Sequence, residues 1–485
     1  MKLNVFRAVM LMAAVMGACS KPKPEQQIID DAAAALGGRD RILAVKTLVI
    51  EGAGANGNLG QDLTPERSVQ TFTLTDYKRE IDVAGGRTRV EQTRTPTFPY
   101  FQGQQPQRQI LGVADEVGYN IAPTGAATRV PNNVANDRRV EIFHHPLTIV
   151  RAALAPGATL ANARTANGQK VVDVTTKGLT FTLAIDATTN LPTRVVSMAD
   201  NLNLGDVAIE TAFSDYQEVG GLKLPARLTT TTDRVMTVDI RAAKQTIDGP
   251  AGDLAAPAAA ASAGPIAAAP PADVAVQEVA KGIWWLAGQS HHSVVVEFAD
   301  HLTLIESPQN DTRALAVIAK ARELRPGKPL TTVVVTHHHF DHSGGVRAAV
   351  SEGLGVIADK STAAFFENVT ARPHTIVPDA LSKNAKPLKF QPVDEELELK
   401  DATQTMELYH IAGSPHADTL LMAYFPRERI LVEADVFTPG ASVAPYAGNL
   451  MENITTRKLR VDKIVPIHGT IAPFADLQKV VGNGT

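Results

Sequence analysis

Between Thr336 and Gly345 the chain reads T-H-x-H-x-D-H-x-G-G, which sets His337, His339, Asp341 and His342 in one short stretch. Imidazole nitrogens and carboxylate oxygens are ligands that zinc takes, and a catalytic site keeps one position open for water. At alternate positions of an extended loop, His337 and His339 can aim at one point while Asp341 and His342 begin a second. Two ions need further ligands, and three later residues stand where a turn or a strand end would deliver them. His416 lies in the turn 413–419, Asp435 follows the strand-like run 430–433, and His468 ends the run 464–467 beside Gly469. Glu433 competes with Asp435, because residues two apart on a strand share a face. His338 sits between two candidate ligands and is expected to point away. His291, His292 and His410 read as packing or outer contacts, and His374 as loop surface. Asp359 and Asp418 are the acceptors expected to orient the histidines.

The elements around the motif explain how it can be held. The β-branched run 333–335 precedes it and Gly344 and Gly345 close it, the pattern of a buried strand emptying into a loop. In open α/β sheets, ligands gather at that carboxyl end. Strands are expected at 293–298, 302–306, 331–336, 355–358, 405–409, 420–425, 430–433 and 464–467, with helices at 311–324 and 346–351. Hairpins mixed with helices predict a layered domain with mixed sheets. Residues 359–405 are expected to shape the substrate cleft.

On these residues the second half of the chain resembles the metallo-β-lactamase-fold hydrolases. The resemblance implies a four-layer αββα domain and two Zn²⁺ ions, the first on His337, His339 and His416 and the second on Asp341, His342 and His468, with Asp435 bridging. It implies a hydrolase using a metal-bound hydroxide on an ester, lactone, amide or thioester bond, with Asp341 as catalytic proton carrier. A phosphodiester or sulfate ester is the alternative bond. Cys19 is the only cysteine, so the cysteine-bearing β-lactamase subclass does not fit. His339 stands where the diiron relatives resemble one another in carrying Glu, which favours zinc over iron.

At 485 residues, with 44% hydrophobic and 20% charged side chains, the chain has material for two or three cores. A net charge of −4 and the lack of a dense Lys/Arg face give no reason to expect nucleic acid. Residues 1–18 read as a signal peptide, with Lys2 and Arg7 ahead of a short apolar core. The end of this segment resembles the lipobox of bacterial lipoproteins, which implies lipidation at Cys19 and a tether over 19–25. The location expected is therefore the cell envelope, facing the periplasm and anchored to the outer membrane, with membrane contact through that lipid alone. Residues 26–247 open with a helix at 28–36 and continue as short strands at 47–51, 68–75, 78–83, 87–93, 170–175, 180–186, 193–197, 208–213 and 227–240. Hairpin spacing predicts an antiparallel β-rich domain, and its pattern resembles the half-barrels of periplasmic lipoprotein carriers. Residues 248–273 are an Ala/Pro-rich linker, and 274–485 form the metal domain. The whole is expected to be α+β, acting on a small molecule. A lipid-anchored carrier with a structural metal domain is the reading of a different class.

Overall fold

The computed structural model describes residues 23–66, 69–267 and 272–482. The expected signal peptide, Cys19 and residues 19–22 of the tether lie outside the described residues. The first described helix, Pro24–Leu36, places Ile29, Ala32, Ala33 and Leu36 at the spacing of one helical face, and all four are buried. It stops at Gly37, whose φ of 126° is open to glycine, and a Cβ there would meet the Gly221 carbonyl at 2.4 Å.

Thirteen strands form one antiparallel sheet made of two meanders, from Thr47–Gly57 to Ala127–Arg129 and from Thr159–Ala166 to Val235–Ile247. Its first and last strands zip the meanders together, with Leu48 opposite Ile247. Helices Pro24–Leu36 and Pro146–Leu154 bury their apolar faces on it with Leu74, Ile81, Leu183 and Leu228. Two expectations differ here. The two strands expected at 68–75 and 78–83 are replaced by a single one, Thr71–Asp82, interrupted by a bulge where Asp76 takes a φ of 52°, and residue 68 lies outside the described residues. The run 227–240 is instead two strands, Leu222–Thr232 and Val235–Ile247. They turn at Asp233 and Arg234, both left-handed, as a two-residue hairpin with this twist requires. Without a glycine at the turn, the sequence carried no stop signal. Residues 248–267 of the expected linker run beside this sheet, with Arg129 donating to the Ala263 carbonyl, and residues 268–271 lie outside the described residues. Leu254 and Ala260 are buried, Gly252 N donates to Glu80, and a short helix spans Ala258–Ser262.

The remaining residues build two facing mixed sheets. One has seven strands, antiparallel from Ala275–Ala280 to Leu302–Ile305 and parallel from there to Phe390–Val393. The other has six, from Glu396–Lys400 to Ala472–Pro473. Alternation decides the layers. Val294, Val296, Ile305 and Val334 meet Leu408, Leu421, Ala423 and Val432 between the sheets. Val295, Leu304 and Val333 face outward under helices Asp311–Leu324 and Val346–Ser351. Leu420, Met422 and Leu431 face the other way under helices Ala447–Thr456 and Phe474–Gly482. The layer order is αββα, and the chain as a whole is α+β. Among the described residues, no helix is long and apolar enough to cross a membrane.

Candidate metal centre

The strand Leu330–Val334 delivers the motif, which turns at once into the short helix Phe340–Ser343. Gly344 and Gly345 allow the turn to press against the neighbouring chain. A Cβ on them would meet the Gln309 carbonyl at 2.2 Å and the Ser307 carbonyl at 2.5 Å. Strand Ile430–Glu433 ends two residues before Asp435, and strand Lys463–Pro466 ends two residues before His468. His416 comes from the loop between Thr405–His410 and Leu421–Phe425. Both sheets therefore spend their strand ends on one point.

Two groups converge there, His337 with His339, His416 and Asp435, and His291 with Asp341, His342 and His468. Within each group, one ligand atom per residue lies within 4.8 Å of the others. Asp435 spans the two. Its Oδ2 is 2.9 Å from His416 Nε2, 3.0 Å from His342 Nε2 and 3.3 Å from His337 Nε2, and its Oδ1 is 2.7 Å from His468 Nε2. All seven residues singled out from the sequence as candidate ligands are brought together. His291, read there as packing, joins them with Nε2 at 3.1 Å from Asp341 Oδ2.

Outside the cluster, each of five rings is tied by its other nitrogen. His337 Nδ1 bonds Thr336 Oγ1, His339 Nε2 donates to the Asp62 carbonyl, and His342 Nδ1 donates to Glu306 Oε2 at 3.0 Å. His468 Nδ1 donates to the Ser290 carbonyl, and His291 Nδ1 bonds Ser290 Oγ. Inside, the buried atoms His337 Nε2 and His339 Nδ1 make no hydrogen bond. Buried imidazole nitrogens are normally satisfied, so an outer tie with an inner unshared nitrogen is the arrangement a metal ligand needs.

The expected orienting carboxylates differ. Asp359 holds His410 Nδ1 at 3.0 Å, and the Asp418 backbone N–H donates to the Leu63 carbonyl. Glu306 does that work instead, accepting from Thr336 N through its other oxygen at 2.7 Å. His338 lies outside both groups, with Nδ1 on Thr419 Oγ1. His292 bonds Gly288 N and the Gly469 carbonyl. Glu433 is buried beside the cluster, yet its Oε2 accepts from Phe437 N. His374 is not loop surface. It is buried because the turn at Gly205 docks onto it, so closely that a Cβ on Gly205 would meet the Pro373 carbonyl at 2.1 Å.

Electrostatics separates the rings. Burial, together with neighbouring imidazoles, holds His337 and His339 well below the ordinary histidine range. Burial also opposes charge on His342, but Asp435, Asp341 and Glu306 outweigh it and hold that ring well above the range. His468 is raised in the same way, burial being outweighed by Asp435. Asp341 and Asp435, despite burial that favours the neutral acid, are held below the carboxylate range by His342 and their other imidazole neighbours. Carboxylates converging on one buried point make it a place that favours positive charge, and the donor set of imidazole and carboxylate suits a divalent cation.

The first sheet reaches this centre. Residues 58–63 bring the Gly60 carbonyl to Phe340 N at 3.0 Å and Gln61 Nε2 to Asp341 Oδ1 at 2.7 Å. A Cβ on Gly60 would lie 2.3 Å from the Phe340 ring, so the approach requires glycine. Burial pushes the Asp62 carboxyl up to about 6. The cavity that opens beside Asp435 is lined by Phe101, Gln102 and residues of 436–446. None of its lining residues comes from 359–405, the segment expected to shape the cleft. That segment instead forms short helices, the edge strand Phe390–Val393 of the seven-stranded sheet and the edge strand Glu396–Lys400 of the six-stranded one.

Comparison with known proteins bears on the second half. The family model of the Metallo-beta-lactamase superfamily matches residues 287–468. A curated relative, a linear primary-alkylsulfatase from Pseudomonas sp., is 30% identical over 112 residues, covering 22% of this chain and 16% of that protein. The chain thus spans about a sixth of the relative's length. Among solved structures, the DIM-1 metallo-beta-lactamase is 18% identical with a TM-score of 0.35, over 44% of this chain and 99% of that one. A metallo-beta-lactamase from Pontibacter korlensis is 16% identical with a TM-score of 0.34, over 44% of this chain and all of that one. A sec-alkylsulfatase from Pseudomonas sp. is 19% identical with a TM-score of 0.33, over 43% of this chain and 40% of that one. The αββα layers and the convergent imidazole–carboxylate motif agree with the family match, which places residues 287–468 in a domain of the Metallo-beta-lactamase superfamily.

Proposed function

We propose that the protein is a binuclear zinc-dependent hydrolase acting on an ester, lactone, amide or thioester bond of a small molecule. The observation that carries this reading is Asp435, whose carboxylate touches both halves of an eight-residue cluster, with Oδ2 2.9 Å from His416 and 3.0 Å from His342 and Oδ1 2.7 Å from His468. His337, His339 and His416 would hold one ion, and Asp341, His342 and His468 the other, with Asp435 between them and His291 beside the second. The chemistry a divalent pair supplies there is acidification of a water towards a pKa of ~7 and polarisation of the bond under attack. The chain's own residues do the rest. Asp341 takes the proton from water and returns it to the leaving atom, and Gln61, bonded to its Oδ1, fixes which oxygen faces the cluster. Glu306, Ser290 and the Asp62 carbonyl hold the ligand rings in the required tautomers.

Sulfate-ester hydrolysis is a second reading, and the alkylsulfatase relative supports it. Metal analysis of the purified protein, followed by a panel of esters, lactones, thioesters, β-lactams, phosphodiesters and alkyl sulfates, decides between them. Asp341→Ala should lower kcat by at least a hundredfold while His338→Ala changes it little. Equal losses in the two variants would remove Asp341 from the chemistry, and protein with bound lipid but no metal would favour a carrier.

A further inference from the structure

The strand Arg87–Pro96 of the first sheet runs on into residues 97–106, and this connection lies against the metal centre. A cluster of rings anchors it. Phe72 stands edge-on to Phe98 at 5.3 Å and to Tyr100 at 5.4 Å, and Tyr100 lies 4.5 Å from Phe101. From the other side, Tyr446 Oη donates to the Pro99 carbonyl at 2.6 Å, and the Tyr446 ring packs 5.1 Å from the His416 ring. So held, the connection presents Phe101 and Gln102 to the cavity of about 300 Å³ beside Asp435. Phe101 is 54% exposed and Val443, which lines the same cavity, is 38% exposed. Among the described residues, neither Lys nor Arg lines the cavity, and Asp435 is its only acid.

We propose that the first sheet completes the substrate site, residues 97–106 walling a pocket that receives an uncharged, apolar chain of the substrate. The pocket has room for on the order of ten non-hydrogen atoms at roughly 30 Å³ each. An anionic tail would find no counter-charge there, and a cationic one would compete for Asp435. An apolar chain gains from burial against Phe101 and Val443 and asks for no hydrogen bond. The proposal rests on the binuclear hydrolase reading and adds to it the class of substrate.

A thiolate is a zinc ligand whatever bond the enzyme cleaves, so straight-chain alkanethiols test the pocket without turnover. The zinc-loaded full-length protein is titrated calorimetrically with ethanethiol to hexanethiol. Affinity should rise about fourfold per methylene, the increment for burying one CH₂. Phe101→Ala should flatten that rise while leaving ethanethiol affinity and zinc content unchanged, and Phe101→Leu should restore most of it. A flat series in the wild type, or the same slope in Phe101→Ala, overturns the pocket alone. Protein that takes up no zinc overturns the hydrolase reading, and the pocket with it.

Discussion

Replacing Glu306 by glutamine removes one acceptor oxygen from a buried place that needs two. Thr336 N donates to Glu306 Oε1 at 2.7 Å and His342 Nδ1 to Oε2 at 3.0 Å, with the Glu306 and His342 side chains fully buried. A glutamine amide has one acceptor and one donor face, so either orientation sets an N–H against an N–H. If the amide nitrogen faces Thr336, a buried backbone donor is stranded, at about 1–3 kcal/mol of stability. If it faces His342, the ring escapes the clash only by moving its proton to Nε2, the nitrogen that lies 3.0 Å from Asp435 Oδ2 and belongs to the cluster. That tautomer has no lone pair to offer there. Loss of such an outer partner lowers metal affinity by roughly 10–100-fold, or about 1.4–2.7 kcal/mol. Competition against a chromophoric chelator should therefore show one ion bound normally and a second bound more weakly. The His337, His339 and His416 group, which Glu306 does not touch, should keep its affinity. Two ions bound with wild-type affinity, together with an unchanged melting temperature, would refute the assignment of Glu306 as the group that sets the His342 tautomer.

The His410–Asp359 pair gives a pH signature away from the metal groups. Its hydrogen bond to Asp359 raises His410 above 6.5, and Asp359 is lowered below 3.8 because His410 and Ser361 outweigh its burial. The histidine's contribution is full below pH 6.5 and fades as pH rises through its folded value, while the aspartate's is full above 3.8 and fades as pH falls. Urea unfolding should find His410→Gln less stable than wild type by about 1–2 kcal/mol near pH 5.5 and by much less above pH 8, and a difference that does not change with pH would exclude the charged pair. For the envelope anchor expected at Cys19, Cys19→Ser should move the protein from the detergent phase to the aqueous phase in Triton X-114 partitioning. An unchanged distribution would exclude lipidation there.

The parts of this molecule legible in its sequence are those whose signal is local. Helix Asp311–Leu324 was readable to the residue because Asn310 caps it, accepting from Arg313 N, and its apolar spacing is regular. The motif from His337 to His342 is contiguous, and His416, Asp435 and His468 each follow a recognisable strand or turn. What stayed hidden depends on contacts between distant segments. Arg313 looks like a solvent-facing residue of that helix, yet it is fully buried and donates to the carbonyls of Asp273, Leu286 and His291. It thereby fixes the loop that carries His291 into the second group. No spacing rule connects residue 313 to 291, nor Gln61 to Asp341 across 280 positions. In the first sheet, bulges and glycine-free turns hid strand boundaries because Asp76, Asp233 and Arg234 are left-handed without announcing it.

Left-handed backbone also marks the centre itself. Glu306, Gln309 and Asp435 have φ values of 71°, 66° and 63°, all at strand ends or turns around the cluster. Each costs about 1–3 kcal/mol for a non-glycine residue, least for Asp, and persists only where surrounding contacts over-determine it. The contacts are visible in each case. Asp435 is held by His337, His342, His416 and His468, Glu306 by Thr336 and His342, and Gln309 by its backbone N–H on the Asp341 carbonyl at 2.8 Å. Glycine would relieve the backbone at Glu306 or Asp435 but would carry no carboxylate to the cluster. A strand that ended in ordinary extended geometry would send its next side chain on along the sheet, whereas a left-handed residue turns it back over the strand ends. The strain and the convergence are therefore one feature. The same bend that costs stability at Glu306 and Asp435 lets carboxylates from both sheets meet the imidazoles of a single loop.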